Sequence, residues 1–97
     1  MTRDQTLEVL RAHWTQLRDD FGVRSLSIFG SVARNEATAA SDVDLLAEFD
    51  RSAGLFDLER LQLYLQELLG CKVDVSTPAS LRTRIRHEVA REAIRVG

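Results

Sequence analysis

An α/β domain, with a small mixed sheet of three or more strands flanked by helices, is what these 97 residues predict. Apolar residues recur at three- and four-residue steps near the N-terminus and again in the middle of the chain. Short stretches that alternate polar and apolar residues lie between and after them. Glycines and small polar residues separate the stretches where turns are needed.

Leu7, Leu10, Trp14, Leu17 and Phe21 fall on one face of a first helix, and Gly22 is well placed to stop it. Residues 24–29 alternate as a strand and run directly into Gly30-Ser31. Residues 35–41 are small and polar, which predicts a loop after about one helical turn. A second strand is expected over 42–49 and a loop over 50–54. Phe56, Leu58, Leu61, Leu65, Leu68 and Leu69 then mark a strongly apolar helix that ends at Gly70. Residues 71–76 predict a third strand, with Val73 and Val75 on one face and Asp74 on the other. Thr77-Pro78 reads as a helix entrance, a capping hydroxyl followed by proline at the first helical position. Leu81, Ile85 and Val89 are expected to turn that last helix inward, with Ile94 near its end. There is no repeat, low-complexity tract or linker, so residues 1–97 are expected to form a single domain.

Hydrophobic content of 44% and charged content of 29% suit a soluble globular protein. No apolar run approaches the roughly 18 residues of a membrane span, and the first residues do not resemble a signal peptide. The expectation is a cytoplasmic protein with no membrane partner. The lone Cys71 has no internal disulfide partner, and its apolar neighbours predict a buried structural thiol. A net charge of −2 argues against direct nucleic-acid binding. The charges are unevenly spread. Residues 42–59 hold Asp42, Asp44, Glu48, Asp50, Asp57 and Glu59 against Arg51, whereas the tail holds Arg82, Arg84, Arg86, Arg91 and Arg95 against Glu88 and Glu92. An acidic centre suits a cation; a basic helix is more often a solvated face than a binding surface.

The chemistry is concentrated in Gly30-Ser31 and, after ten intervening residues, Asp42-Val43-Asp44. Residues two apart on a strand project to the same side, so Asp42 and Asp44 stand together while Val43 and Leu45 face the core. Two carboxylates ~4 Å apart repel by about 4 kcal/mol at an effective dielectric near 20. A cation relieves that repulsion, and an all-oxygen donor set with room for water and phosphate suits Mg²⁺ or Mn²⁺ better than zinc. An isolated Asp-x-Asp is more often an exposed strand edge, and an isolated Gly-Ser is an ordinary loop. Together they read as a metal site beside a turn whose backbone N–H groups, with the Ser31 hydroxyl, accept phosphate. Arg34, one turn on, is placed to neutralise a phosphate or brace a carboxylate. If the third strand lies beside the second, Asp74 completes a three-carboxylate site able to hold two metals ~3.5–4 Å apart. His13 and His87 lack a second ligand at metal-binding spacing, and Trp14 and Tyr64 fit apolar helix faces.

The string Phe29-Gly-Ser-Val-Ala-Arg34 with Ser41-Asp-Val-Asp-Leu45 resembles the signature of the DNA polymerase β-type nucleotidyltransferases, in particular the minimal nucleotidyltransferases that are antitoxins of MNT/HEPN toxin–antitoxin pairs. The resemblance extends to Lys72-Val-Asp-Val75 and the closing Arg91-Glu-Ala-Ile94, and so covers most of the chain. It departs at Asn35, where these proteins often carry glycine; asparagine tolerates a left-handed backbone better than most residues.

The resemblance implies a polymerase β-like palm fold and the transfer of AMP from ATP, with release of pyrophosphate, to a tyrosine hydroxyl on a HEPN RNase toxin that is thereby silenced. It implies that Asp42 and Asp44 hold the metal bridging the triphosphate and that Asp74 helps hold a second metal and deprotonate the acceptor. It also implies that Gly30 and Ser31 hold the outer phosphates, with Arg34 a further candidate. About twenty residues follow the third strand. The site is therefore expected to be completed by the toxin, in a hetero-oligomer, or by a second copy of this chain. Two other readings stand beside this one: an antitoxin that blocks its toxin by contact alone, and a nucleotidyltransferase acting on a small molecule or an RNA end.

Overall fold

The computed structural model describes residues 2–36, 38, 42–51 and 53–97. Two helices, α1 (Arg3–Ala12) and α2 (Trp14–Phe21), lead into strand β1 (Val23–Phe29). One helical turn, α3 (Gly30–Ala33), precedes β2 (Val43–Phe49). The long helix α4 (Leu55–Leu69) then connects to β3 (Val73–Ser76), and after a 3₁₀ turn over Pro78–Ser80 come α5 (Thr83–Glu92) and a short strand β4 (Ile94–Arg95). The four strands form one mixed sheet in the order β3-β2-β1-β4. β1 is antiparallel to β2 and to β4, and β2 is parallel to β3. Parallel neighbours need a crossover, which α4 supplies. Of the loops expected over 35–41 and 50–54, residues 37, 39–41 and 52 lie outside the described residues.

The single N-terminal helix expected from the apolar spacing is two. Thr2 and Gln5 form a reciprocal cap at the start of α1: Gln5 N–H donates to Thr2 Oγ1 (3.1 Å) and Thr2 N–H to Gln5 Oε1 (3.0 Å). At His13 the backbone leaves helical geometry (φ −108, ψ 13), its N–H donates to Leu10, and its ring Nδ1 lies 2.9 Å from the Val9 carbonyl. The apolar stripe survives this break, with Leu7, Leu10 and Leu17 buried and Trp14 and Phe21 packed against them. Periodicity therefore carried no sign of it. Gly22 and Gly70, both left-handed (φ 68), stop α2 and α4 as expected.

One face of the sheet is the core. Leu26 and Ile28 of β1, Val43, Leu45 and Ala47 of β2, and Val73 of β3 are buried against Leu10, Leu17, Leu61 and Leu65 from the helices. A bulge between Val23 and Ser25 shifts the phase of β1, which is why Val23 and Leu26 both face inward although three residues apart. The other face carries half-buried and exposed polar residues, among them Ser25, Ser27, Asp44 and Asp74. β3 lies at the sheet edge, and α4 covers that edge: Val73 and Val75 N–H donate to Gln66 Oε1 (3.3 Å) and Gln62 Oε1 (3.4 Å).

The C-terminal third departs most from expectation. Thr77-Pro78 opens a 3₁₀ turn closed on itself by Ser80, whose Oγ accepts from Thr77 N–H (3.0 Å). Leu81 is extended and half-buried, and α5 begins only at Thr83. Of the residues expected to turn inward, Val89 is buried and Ile85 is 39% exposed. Ile94 ends no helix. It pairs with Ile28, while Val96 N–H donates to the Leu26 carbonyl (2.7 Å) and Leu26 N–H to the Gly97 carbonyl (3.0 Å). Those long-range bonds with β1 override the local helical pattern. Phe56, expected on the apolar face of α4, is 79% exposed, and Cys71 is half-buried. No helix among the described residues is long and apolar enough to cross a membrane.

Candidate active site

The Gly30-Ser31 turn and the carboxylates, separate in sequence, meet at one end of the sheet. Antiparallel pairing sets Asp44 opposite Phe29, the residue before Gly30, and parallel pairing sets Asp44 beside Asp74. Strand adjacency, which the Asp74 assignment required, is therefore present. Asp44 and Asp74 share the polar face because their neighbours Val43 and Val73, Leu45 and Val75 pair on the other. Asp42 and Asp44 are half-buried; Asp74 is exposed.

Gly30 makes the close approach possible. Its φ of 74 is left-handed, and a Cβ built there would run into Asp44 Oδ2 and come within 3.2 Å of Asp44 Cγ. The turn that follows is closed by Arg34 N–H to the Gly30 carbonyl (3.1 Å), Asn35 N–H to Val32 (3.0 Å) and Glu36 N–H to Ser31 (2.9 Å). The first N–H groups of such a turn have no carbonyl behind them in the helix. Asn35 has a φ of 59 and is the one non-glycine residue with positive φ among the described residues. The departure from glycine is thus accommodated by the residue type that tolerates it best. Asn35→Ala is expected to lower stability by about 1 kcal/mol and Asn35→Gly to change it by less than about 0.5 kcal/mol, read by urea denaturation.

Burial holds the Asp44 carboxyl above the ordinary carboxylate pKa, the neighbouring Asp74 and Asp42 push it further up, and Arg34 opposes them. A carboxylate penalised in this way gains from a cation. The donors are all hard oxygens, which fits Mg²⁺ or Mn²⁺ with water and phosphate completing the shell. Among the described residues no three His, Cys, Asp or Glu side chains form a ready-made cage. Arg34 is not free to wander. Its Nε donates to Glu36 Oε2 (3.2 Å), and its Nη1 donates to Glu92 Oε1 (3.2 Å) and Oε2 (3.1 Å). Glu36 lies two residues from Arg34; Glu92, within the closing Arg91-Glu-Ala-Ile94 string, is on α5, and nothing local in the sequence links it to Arg34. Tyr64 packs on Phe21 (centroids 4.8 Å apart) and donates to Gln16 Oε1 (2.9 Å). Burial and Asp20 raise its hydroxyl pKa, the reverse of what an acceptor needs.

The chain belongs to the nucleotidyltransferase domain family, whose profile matches residues 10–96, and within it to the minimal nucleotidyltransferases. It is 40% identical over 96 residues to the protein adenylyltransferase MntA of Thermococcus cleftensis, covering 99% of this chain and 97% of that protein. A solved structure assigned as a minimal nucleotidyltransferase superposes with a TM-score of 0.81 at 41% identity, over 97% of this chain and 95% of the other. The fold also recurs, with a TM-score of 0.69 and 16% identity over 94% of this chain and 71% of the other, in a tri-AMPylated Shewanella oneidensis HEPN toxin in complex with its MNT antitoxin.

Proposed function

We propose that this chain transfers AMP from ATP to a tyrosine hydroxyl of a cognate HEPN-type RNase toxin and so acts as its antitoxin. The observation that carries this reading is Asp44, set beside Asp74 by strand register and against Gly30 by a contact only glycine permits. The full-length likeness to a protein adenylyltransferase supports a protein acceptor. The shared fold with the antitoxin of an AMPylated complex is consistent with a toxin as that protein.

Asp42, Asp44 and Asp74 would hold Mg²⁺, or Mn²⁺, which when bound supplies charge neutralisation for the triphosphate. The Gly30-Ser31 backbone and the Ser31 hydroxyl hold the outer phosphates as negative charge develops on the departing group. The acceptor oxygen bonds to the α-phosphorus, the bond from that phosphorus to the oxygen bridging to the β-phosphate breaks, and pyrophosphate leaves. A tyrosine hydroxyl has a pKa of about 10, so its proton must be taken at neutral pH. Asp74 suits that task because it is the exposed member of the three. The toxin completes the site, which makes the hetero-oligomer the working state.

Intact-mass spectrometry of the toxin after incubation with this protein, Mg²⁺ and ATP tests the reading. A nucleotide-sized increase that disappears with Asp42→Ala/Asp44→Ala is expected. An unchanged mass alongside a stable complex that still silences the toxin would favour a contact-only antitoxin.

A further inference from the structure

Beyond the carboxylates and the turn, the densest polar contact near the site is the one that ties α5 to α3. Arg34 follows α3 directly, and Glu92 is the last residue of α5, 58 residues away in sequence. Both Glu92 oxygens accept from Nη1, and Glu36 accepts from Nε. That leaves Nη2 as the one guanidinium nitrogen with no partner among the described residues. Val89 is the one buried residue of α5.

We infer that Glu92 is a positioning residue for nucleotide binding: it fixes the Arg34 guanidinium beside the Gly30-Ser31 turn so that Nη2 is presented to the triphosphate. The inference rests on the nucleotide site proposed above. An unrestrained arginine has many rotamers to lose on meeting a phosphate, and one already clamped at Nη1 and Nε has few. Arg34 N–H donates to the Gly30 carbonyl (3.1 Å), so its side chain starts at the turn itself. The pair is not there chiefly for stability. Its side chains are 44% and 26% exposed, and ion pairs so open to water contribute little to folding. A purely structural role and a positioning role therefore separate cleanly in experiment.

The test is the affinity of the protein for a non-hydrolysable ATP analogue with Mg²⁺, by titration calorimetry, with thermal melting of each variant alongside. Glu92→Gln keeps the shape of the side chain but loses its charge, and is expected to weaken binding about tenfold with little change in melting temperature. Glu92→Asp should recover most of that loss. In an Arg34→Ala background, Glu92→Gln should have no further effect, because it acts only through Arg34. Wild-type affinity in Glu92→Gln, or a loss undiminished in the Arg34→Ala background, would overturn the inference and leave the proposed activity standing. Absence of analogue binding both by the wild-type protein alone and by its complex with the toxin would overturn both.

Discussion

Asp44→Asn is expected to abolish transfer while leaving the nucleotide-free protein at least as stable as the wild type near neutral pH. Loss of turnover should reach at least the order of 10³, the scale on which removing one group that stabilises transition-state charge is felt. The stability half follows from the direction of the Asp44 shift. Burial, Asp74 and Asp42 raise its pKa in the folded protein. Between the ordinary carboxylate value and the raised one, the folded protein holds a proton that the unfolded chain has lost. Stability therefore falls as pH rises through that window, and above it the whole penalty remains. Asparagine carries no charge and escapes the penalty. Thermal melts across pH should show the wild type losing stability over that window and Asp44→Asn losing less. Mg²⁺ with an ATP analogue should then raise the wild-type midpoint, by about 2.7 kcal/mol of stability at a hundredfold excess over Kd, and leave Asp44→Asn unmoved. A variant that melts lower than the wild type at every pH would show that the Asp44 carboxylate is a structural support instead.

Gly30→Ala is expected to damage both fold and function. The left-handed backbone alone costs an alanine about 1–2 kcal/mol. The added Cβ also points at the Asp44 carboxylate, so either the side chain rotates away or the turn retreats from β2. Displacement of about 1 Å at a reacting centre costs on the order of 10² in rate. The denaturation midpoint and turnover should therefore both fall, whereas Asp44→Asn lowers turnover alone. Full activity in a folded Gly30→Ala protein would mean that the turn and Asp44 do not need to touch.

What the chain discloses before folding follows the range over which each feature is written. The turn and the two carboxylates lie within fifteen residues, and strand alternation is the local signal that pairs Asp42 with Asp44, although β2 itself begins at Val43. The helix stops at Gly22 and Gly70 are equally local. The pairing of Asp74 with Asp44 is not, because it depends on which strands become neighbours after α4 crosses over. β4 is hidden for the same reason: Ile94 continues a helical apolar spacing, and only its bonds to β1 make it a strand. Glu92 is the extreme case: it stands in the closing Arg91-Glu-Ala-Ile94 string, but its partner Arg34 is 58 residues away. The break at His13 is local but silent, since a kink there leaves the buried stripe in line.

Under the proposed function this site moves a nucleotide, not a terminal phosphate, onto another protein. Parallel incubations of the protein with its toxin and ATP labelled at either the α- or the γ-phosphate test it directly. Label from the α-phosphate should appear on the toxin, the γ-label should leave as pyrophosphate, and both signals should vanish with Asp42→Ala/Asp44→Ala. Label arriving from the γ-phosphate, or α-label transferred equally by the double variant, would contradict it.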